Sequence, residues 1–259
     1  MTTTQLTLVQ IDNYGPWTVT PEPRREMDLQ TLQSRLFADI AQFIGSRGGY
    51  VFPTRFDNMV AVTNGIDRAA HELLQETVRN RYPVTISLGV DVADTPAAAL
   101  EGATERIQAE GSAQDEGRTE VLAGAFLDGE PNERLTIAHF DVKNVTGKYT
   151  DQLNAFDSFI EVERTYVSLM ERLRERHDAL AFFVGGDNIV AVCPSLSNAE
   201  YRAAIEHVER DVGVALQVGV GRGTSAHEAG YAAKHALEEC RRARTTVEFD
   251  HAPVAHSDD

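Results

Sequence analysis

Cysteine and lysine are nearly missing from this chain, and each scarcity removes a class of function. Two cysteines, Cys193 and Cys240, occur in 259 residues. Without paired spacing they exclude a disulfide framework and a cysteine zinc site, and they point to a reducing cytoplasm. Three lysines, Lys143, Lys148 and Lys234, belong to a set of 24 basic residues set against 40 acidic ones, a formal net charge of −16. That surplus excludes bulk electrostatic capture of a nucleic acid polymer. It suits a halophilic, salt-loaded cytoplasm, where carboxylates hold water at the surface and salt screens their repulsion. No apolar run approaches the ~20 residues of a membrane span, so no membrane partner is expected. Met1-Thr2-Thr3-Thr4-Gln5 has no basic segment leading into an apolar core, so no signal peptide is expected either. Neither a phosphate-binding P-loop nor a nucleophile elbow is found. Gly219-Val220-Gly221-Arg222-Gly223 does not fit the dinucleotide fingerprint and reads as a strand end.

What the chain does have is an echo of itself. Arg55-Phe56-Asp57-Asn58-Met59-Val60-Ala61-Val62 recurs about 130 residues later as Gly185-Gly186-Asp187-Asn188-Ile189-Val190-Ala191-Val192. An apolar strand ending in Asp precedes each, Leu8 to Asp12 and Ile137 to Asp141, so Asp12 is matched with Asp141. Downstream, Val84–Val90 matches Val214–Val220, and Thr95, Ala99 and Ala103 match Ser225, Ala229 and Ala233. A near-constant offset over separate elements marks a tandem duplication.

Periodicity predicts strands at 5–12, 50–52, 59–62 and 84–91, with helices at 25–44, 66–79 and 96–110. The turn-rich stretch from Asn13 to Pro23 reads as a loop. The second copy repeats the order with strands at 135–141, 179–184, 189–193 and 214–220, and helices at 154–176, 198–211 and 225–243. The predicted fold class is α+β: two tandem ferredoxin-like, palm-type domains of βαββαβ order. Their bounds are 1–112 and 134–250, joined by a polar connector over 113–133. Within that connector Val121–Leu127 could add a helical turn. Residues 251–259 read as a disordered tail.

In this fold the first strand lies beside the hairpin, which is expected to set Asp12 beside Asp57 and Asp141 beside Asp187. Two neighbouring carboxylates repel, and a hard dication resolves the conflict. Mg²⁺ takes one or two carboxylates together with substrate phosphates and waters. Gly185 and Gly186 allow positive φ and let a phosphate approach the backbone. Arg24, Arg25 and Arg55 are candidate phosphate forks, with Arg79 and Arg81 behind them, and Lys143 and Asn144 follow Asp141 at the mouth of the second site. His139 sits alone on a predicted strand and reads as a core or edge residue.

The Gly-Gly-Asp hairpin with an upstream strand-end Asp resembles the palm domains of nucleotide cyclases and GGDEF diguanylate cyclases, with Asn188 where those carry Glu. Longer segments narrow the resemblance. Gln10-Ile11-Asp12-Asn13-Tyr14-Gly15-Pro16-Trp17 through Glu26, Thr54 to Asn58, Arg79 to Pro83, Gly111 to Glu116 and Gly185 to Asn188 are similar to archaeal GTP cyclohydrolase III. That resemblance implies hydrolysis of GTP at C8, with imidazole ring opening and loss of two phosphates, to a formylaminopyrimidine nucleotide of riboflavin and deazaflavin synthesis. It further implies Mg²⁺, for which the paired carboxylates offer Asp12 with Asp57 or Asp141 with Asp187, K⁺ as monovalent activator, and a homo-oligomer. Asn188 would join the four aspartates in catalysis. Asn13, Arg24, Arg25, Arg55, Asn58, Lys143, Asn144, Gly185 and Gly186 would bind substrate, with Gln114, Asp115 and Glu116 as guanine readers. A cyclase that makes a cyclic nucleotide and a non-catalytic guanine-nucleotide sensor are the alternative readings.

Overall fold

A computed structural model describes residues 3–127, 135–143 and 153–251; the tail from 252 onward lies outside the described residues. Two compact units divide the chain, Thr3–Asn132 and the part from Glu133 onward. The first contains β1 (Thr4–Ile11), α1 (Tyr14–Val19), α2 (Glu26–Gly45), β2 (Tyr50–Pro53), β3 (Asn58–Val62), α3 (Arg68–Arg81), β4 (Ile86–Ala93), α4 (Pro96–Ala109) and β5 (Leu122–Gly124). The second contains β6 (Leu135–Val142), α5 (Ala155–His177), β7 (Leu180–Gly185), β8 (Asn188–Cys193), α6 (Asn198–Val212), β9 (Leu216–Gly223), α7 (Ala226–Ala243) and β10 (Val247–His251).

The two sheets have matching orders, β2-β3-β1-β4-β5 and β7-β8-β6-β9-β10. In each, the first strand runs antiparallel to its neighbours and the last strand adds in parallel at the edge. This is the βαββαβ arrangement with one further helix and strand. Local signals agree between copies. Asp67 and Ser197 cap α3 and α6, and Thr95 and Ser225 cap α4 and α7, each side-chain oxygen accepting an otherwise orphaned helix N–H.

Each unit encloses its own core. Val9, Ile11, Leu36, Ile40, Met59, Leu74 and Ile86 pack in the first; Phe140, Val142, Leu169, Leu173, Ile189, Tyr201 and Val208 pack in the second. Strand alternation then sends His139, Asp141 and Lys143 to the opposite face of β6. Glycine brings a helix close to that face. A Cβ on Gly219 would lie 2.1 Å from the Leu237 backbone nitrogen, and one on Gly89 would lie 2.1 Å from the Ala103 carbonyl oxygen. The expected strand end at Gly219–Gly223 therefore falls in β9, and its bare backbone admits α7.

Three elements differ from the sequence reading. The loop after β1 contains the short α1, compatible with Pro16 because proline fits a first helical turn. The expected helical turn within Val121–Leu127 is instead β5, paired with β4 from Leu88↔Leu122 to Val90↔Gly124. Gln75 ties the same segment down, its Nε2 donating to the carbonyls of Ile86 and Val121 at 3.0 and 2.9 Å. β10 follows α7, where no strand was expected.

The largest correction concerns register. Gln10 pairs with Asn58 and Ser87, whereas Asp141 pairs with Asn188 and Gln217. Asp12 N–H donates to the Thr85 carbonyl at 3.0 Å, and Lys143 N–H donates to the Ala215 carbonyl at 2.8 Å. Asp141 therefore occupies the place of Gln10, and Lys143 occupies the place of Asp12. The two strand-end aspartates are not equivalents.

Candidate active site

In the second unit, Asp141 is the penultimate residue of β6 and is 5% exposed. Its Oδ2 accepts from Gln217 Nε2 at 2.7 Å and its Oδ1 from Arg241 Nη2 at 2.8 Å. The β7–β8 turn supplies Asp187. Gly185 and Gly186 have φ of 108° and 64°, backbone that glycine adopts without strain, and the turn leads into Asn188, which pairs with Asp141. Burial, and then the Asp141 charge, push the Asp187 carboxyl above its ordinary value. Asn188 Nδ2 donates to Asp187 Oδ1 at 3.2 Å and to the Gly185 carbonyl at 3.4 Å. Its Oδ1 accepts from His139 Nε2 at 3.0 Å. Burial lowers the pKa of His139, with Lys234 and Arg241 contributing in the same direction.

Beside Asp141 opens a cavity of about 490 Å³ lined by Lys143, Gln217, Cys240, Arg241, Arg244 and Thr245. Lys143 Nζ donates to Thr246 Oγ1 at 3.1 Å, and Arg244 ends α7 in a left-handed conformation, φ 56°. Three cationic side chains therefore line a recess next to two carboxylates. That set suits a polyphosphate bridged by a hard cation. Among the described residues no three His, Cys, Asp or Glu side chains form a ready-made metal cage. The Asp141–Asp187 pair still fits Mg²⁺, which takes few protein carboxylates and completes its shell with phosphate and water.

The first unit is built otherwise. Asp12 Oδ1 accepts from Ser87 Oγ at 2.5 Å and lies 3.5 Å from Arg118 Nη2. Its Oδ2 accepts from Thr85 Oγ1 at 2.8 Å and from the Glu120 N–H at 2.9 Å. Arg118, with a side chain 3% exposed, also donates to Gln10 Oε1 at 2.6 Å and to the Gly111 carbonyl at 3.2 Å. The Asp12–Asp57 pairing expected from the sequence is not what holds these groups. Asp57 instead accepts from Arg55 at 3.1 Å and from Asn58 at 3.1 Å. The expected connector supplies Arg118 and Glu120 and is part of this unit.

The remaining predicted residues scatter within the first unit. Asn13 is left-handed, φ 48°, and its Oδ1 is buried without a partner. Asn58 Oδ1 accepts from Gln10 Nε2. Arg24 lies 3.9 Å over the Trp17 ring, and Arg25 pairs with Asp28 on the surface; both line a separate recess with Pro21 and Pro23. Gln114 packs against Gly15, and Asp115 accepts from the Gly117 N–H of its own turn. Glu116 is exposed. Arg79 pairs with Glu120 and Arg81 with Asp39. Asn144 lies outside the described residues. Sequence reasoning missed Arg241, Arg244 and Gln217. Their one available signal was that Gln217 aligns with Ser87 beside a strand-end carboxylate.

Comparison with known proteins follows the same lines. The family model described as GTP cyclohydrolase III matches residues 5–254. GTP cyclohydrolase III of Halorubrum lacusprofundi is 66% identical over 254 residues, covering 98% of this chain and 99% of that protein. The protein of the same name from Methanocaldococcus jannaschii is 46% identical over 240 residues, covering 92% and 88%. Among solved structures, the GGDEF domain of DgcB from Caulobacter crescentus, in complex with c-di-GMP, aligns at a TM-score of 0.38 and 14% identity, over 47% of this chain and 79% of that one.

Proposed function

Because the chain belongs to the GTP cyclohydrolase III family, we propose that it hydrolyses GTP, opening the imidazole ring at C8 and releasing two phosphates, with Mg²⁺ held by Asp141 and Asp187. The product would be a formylaminopyrimidine nucleotide monophosphate. The observation that carries this reading is the raised Asp187 carboxyl beside Asp141, at the edge of a recess lined by Lys143, Arg241 and Arg244.

When bound, Mg²⁺ would add positive charge at the phosphates and polarise water. The protein's own groups bind and orient. Lys143, Arg241 and Arg244 receive the triphosphate and balance the charge that develops as phosphate leaves. Gln217 and Arg241 fix Asp141. The bare backbone at Gly185–Gly186 leaves room for phosphate at the turn, and Asn188 orients Asp187.

K⁺ as an activator belongs to the same proposal and rests on the family resemblance. Homo-oligomerisation is supported by Phe156, Phe159 and Val167, which stand exposed along α5. No helix among the described residues is long and apolar enough to cross a membrane.

Incubation with GTP and Mg²⁺ tests the reaction. The expected result is loss of guanine ultraviolet absorbance with two equivalents of phosphate. Pyrophosphate with an intact base would replace this reading with a cyclase, and binding without turnover would replace it with a sensor.

A further inference from the structure

His139 has no part in the chemistry above, yet its position on β6 is specific. It lies two residues before Asp141 on the same face of the strand, paired with Val190 and Gly219. Its Nε2 meets Asn188 Oδ1 at 3.0 Å. An amide oxygen only accepts, so Nε2 must carry the proton. That contact decides how the Asn188 amide points: with Oδ1 committed to His139, Nδ2 is left to donate to Asp187 Oδ1 and to the Gly185 carbonyl. Turned over, the amide would place its oxygen against a carboxylate and a carbonyl, acceptor facing acceptor.

The first unit has the matching bond from Asn58 Nδ2 to Asp57 Oδ1, at 3.1 Å, but not the histidine. Asn58 pairs with Gln10 as Asn188 pairs with Asp141, but its Oδ1 accepts from Gln10 Nε2. The residue at the His139 place there is Leu8, which pairs with Val60 and Gly89. The histidine thus occurs in the copy that carries the second strand carboxylate.

We infer that His139 is a positioning residue: by holding Asn188 Oδ1 it locks the Asn188 amide so that Nδ2 fixes the Asp187 carboxylate beside Asp141 for the divalent cation. This rests on the proposed metal role of those two carboxylates. Partners one bond removed from a metal ligand commonly set metal affinity by about ten- to a hundredfold.

The test is Mn²⁺ binding by the whole protein, read from loss of the free-ion electron paramagnetic resonance signal, alongside the Mg²⁺ dependence of turnover. His139→Leu removes the donor and should weaken Mn²⁺ binding by about tenfold or more, raising the Mg²⁺ needed for half-maximal rate more than it lowers kcat. His139→Gln keeps an N–H donor and should stay within about threefold of wild type, a small fraction of that loss. Wild-type Mn²⁺ affinity in His139→Leu would overturn the inference. An equal loss in both variants with a matching fall in Tm would also overturn it, showing a packing role. Asp187→Asn separates the two layers: if it binds Mn²⁺ as wild type does, the metal reading fails first and the role of His139 falls with it.

Discussion

The end of β1 and the end of β6 look alike on paper and are chemically different. Asp12 is surrounded by Ser87, Thr85, the Glu120 N–H and the guanidinium of Arg118. Its charge is neutralised from within the protein. Asp141 has Gln217 and Arg241, but it also faces Asp187, whose carboxyl is pushed up by burial and by that neighbour. Asp12 is enclosed by donors of its own unit, whereas Asp187 accepts from Asn188 and lies against the Asp141 charge. The hairpins differ in the same sense. Phe56 and Gly186 occupy matching left-handed positions, φ 63° and 64°. The first carries a ring set edge-on to Phe37, and the second carries nothing that would obstruct a phosphate.

The most severe way to break this comparison is to remove that side-chain cation. Arg118→Met should cost about 3–5 kcal/mol of stability, because it leaves the Asp12 carboxylate buried and uncompensated. Chemical unfolding followed by the fluorescence of Trp17, the single tryptophan, reports on the first unit. A cost below about 1 kcal/mol, in the range of an exposed ion pair, would mean that Asp12 is not closed off, and the first unit would regain its claim to a metal.

Next in size is the contrast between the hairpins. Asp187→Asn should lower kcat/KM by at least about a hundredfold, near 2.7 kcal/mol in the barrier, with Tm held or raised. Asp57→Asn, whose partners are Arg55 and Asn58 at the surface, should change kcat/KM by less than about threefold, some 0.7 kcal/mol. Equal losses in both variants would restore a symmetric pair of sites.

How much of this was readable beforehand follows from what each signal depends on. The two hairpins, the helices bearing apolar stripes and the palm order come from local pattern, and the structure follows them. The register of β1 and β6 does not come from local pattern. Both strands end in an apolar residue followed by Asp, and matching those endings shifts one copy by two residues. Because strand alternation has a period of two, such a shift keeps inside and outside intact and leaves no hydrophobic penalty to reveal it. Only pairing with Ser87 and Gln217 settles it. Arg118 was hidden for another reason: in a polar stretch, a buried arginine and a solvated one look the same. The cationic recess was hidden because Lys143 and Arg241 are about a hundred residues apart and meet only once Gly219 lets α7 settle on β9.

A smaller effect comes from pH. The Asp187 pKa is raised in the folded state, so between the ordinary carboxylate value and that raised value the native protein binds more protons than the unfolded chain. Stability contributed by this group therefore falls as pH rises through that window and stays low above it. Mg²⁺ should reverse the trend at neutral pH, by about 1.4 kcal/mol at ten times its Kd, and should do nothing once Asp187 is protonated. Melting followed by circular dichroism with and without Mg²⁺, from pH 4 to 8, checks this. A Mg²⁺ effect that persists unchanged in Asp187→Asn would place the ion elsewhere.

Salt should act on both units, which separates general screening from the site. With 40 acidic against 24 basic residues, self-repulsion is strong in dilute buffer. It fades as the Debye length falls to about 3 Å near 1 M. Molar KCl should then raise stability by on the order of 1 kcal/mol, several degrees in Tm for units of this size. Trp17 fluorescence and whole-chain circular dichroism should shift together. If Mg²⁺ binds only in the second unit, as proposed, it should move the second signal without moving Trp17, whose unit holds Asp12 with its own donors. NaCl screens as KCl does, so the two salts should match in Tm, and a higher turnover in KCl would mark a bound K⁺ rather than an ionic atmosphere. If Mg²⁺ shifts Trp17 as strongly as salt does, the two strand ends are not distinct, and the division of labour between the two copies fails.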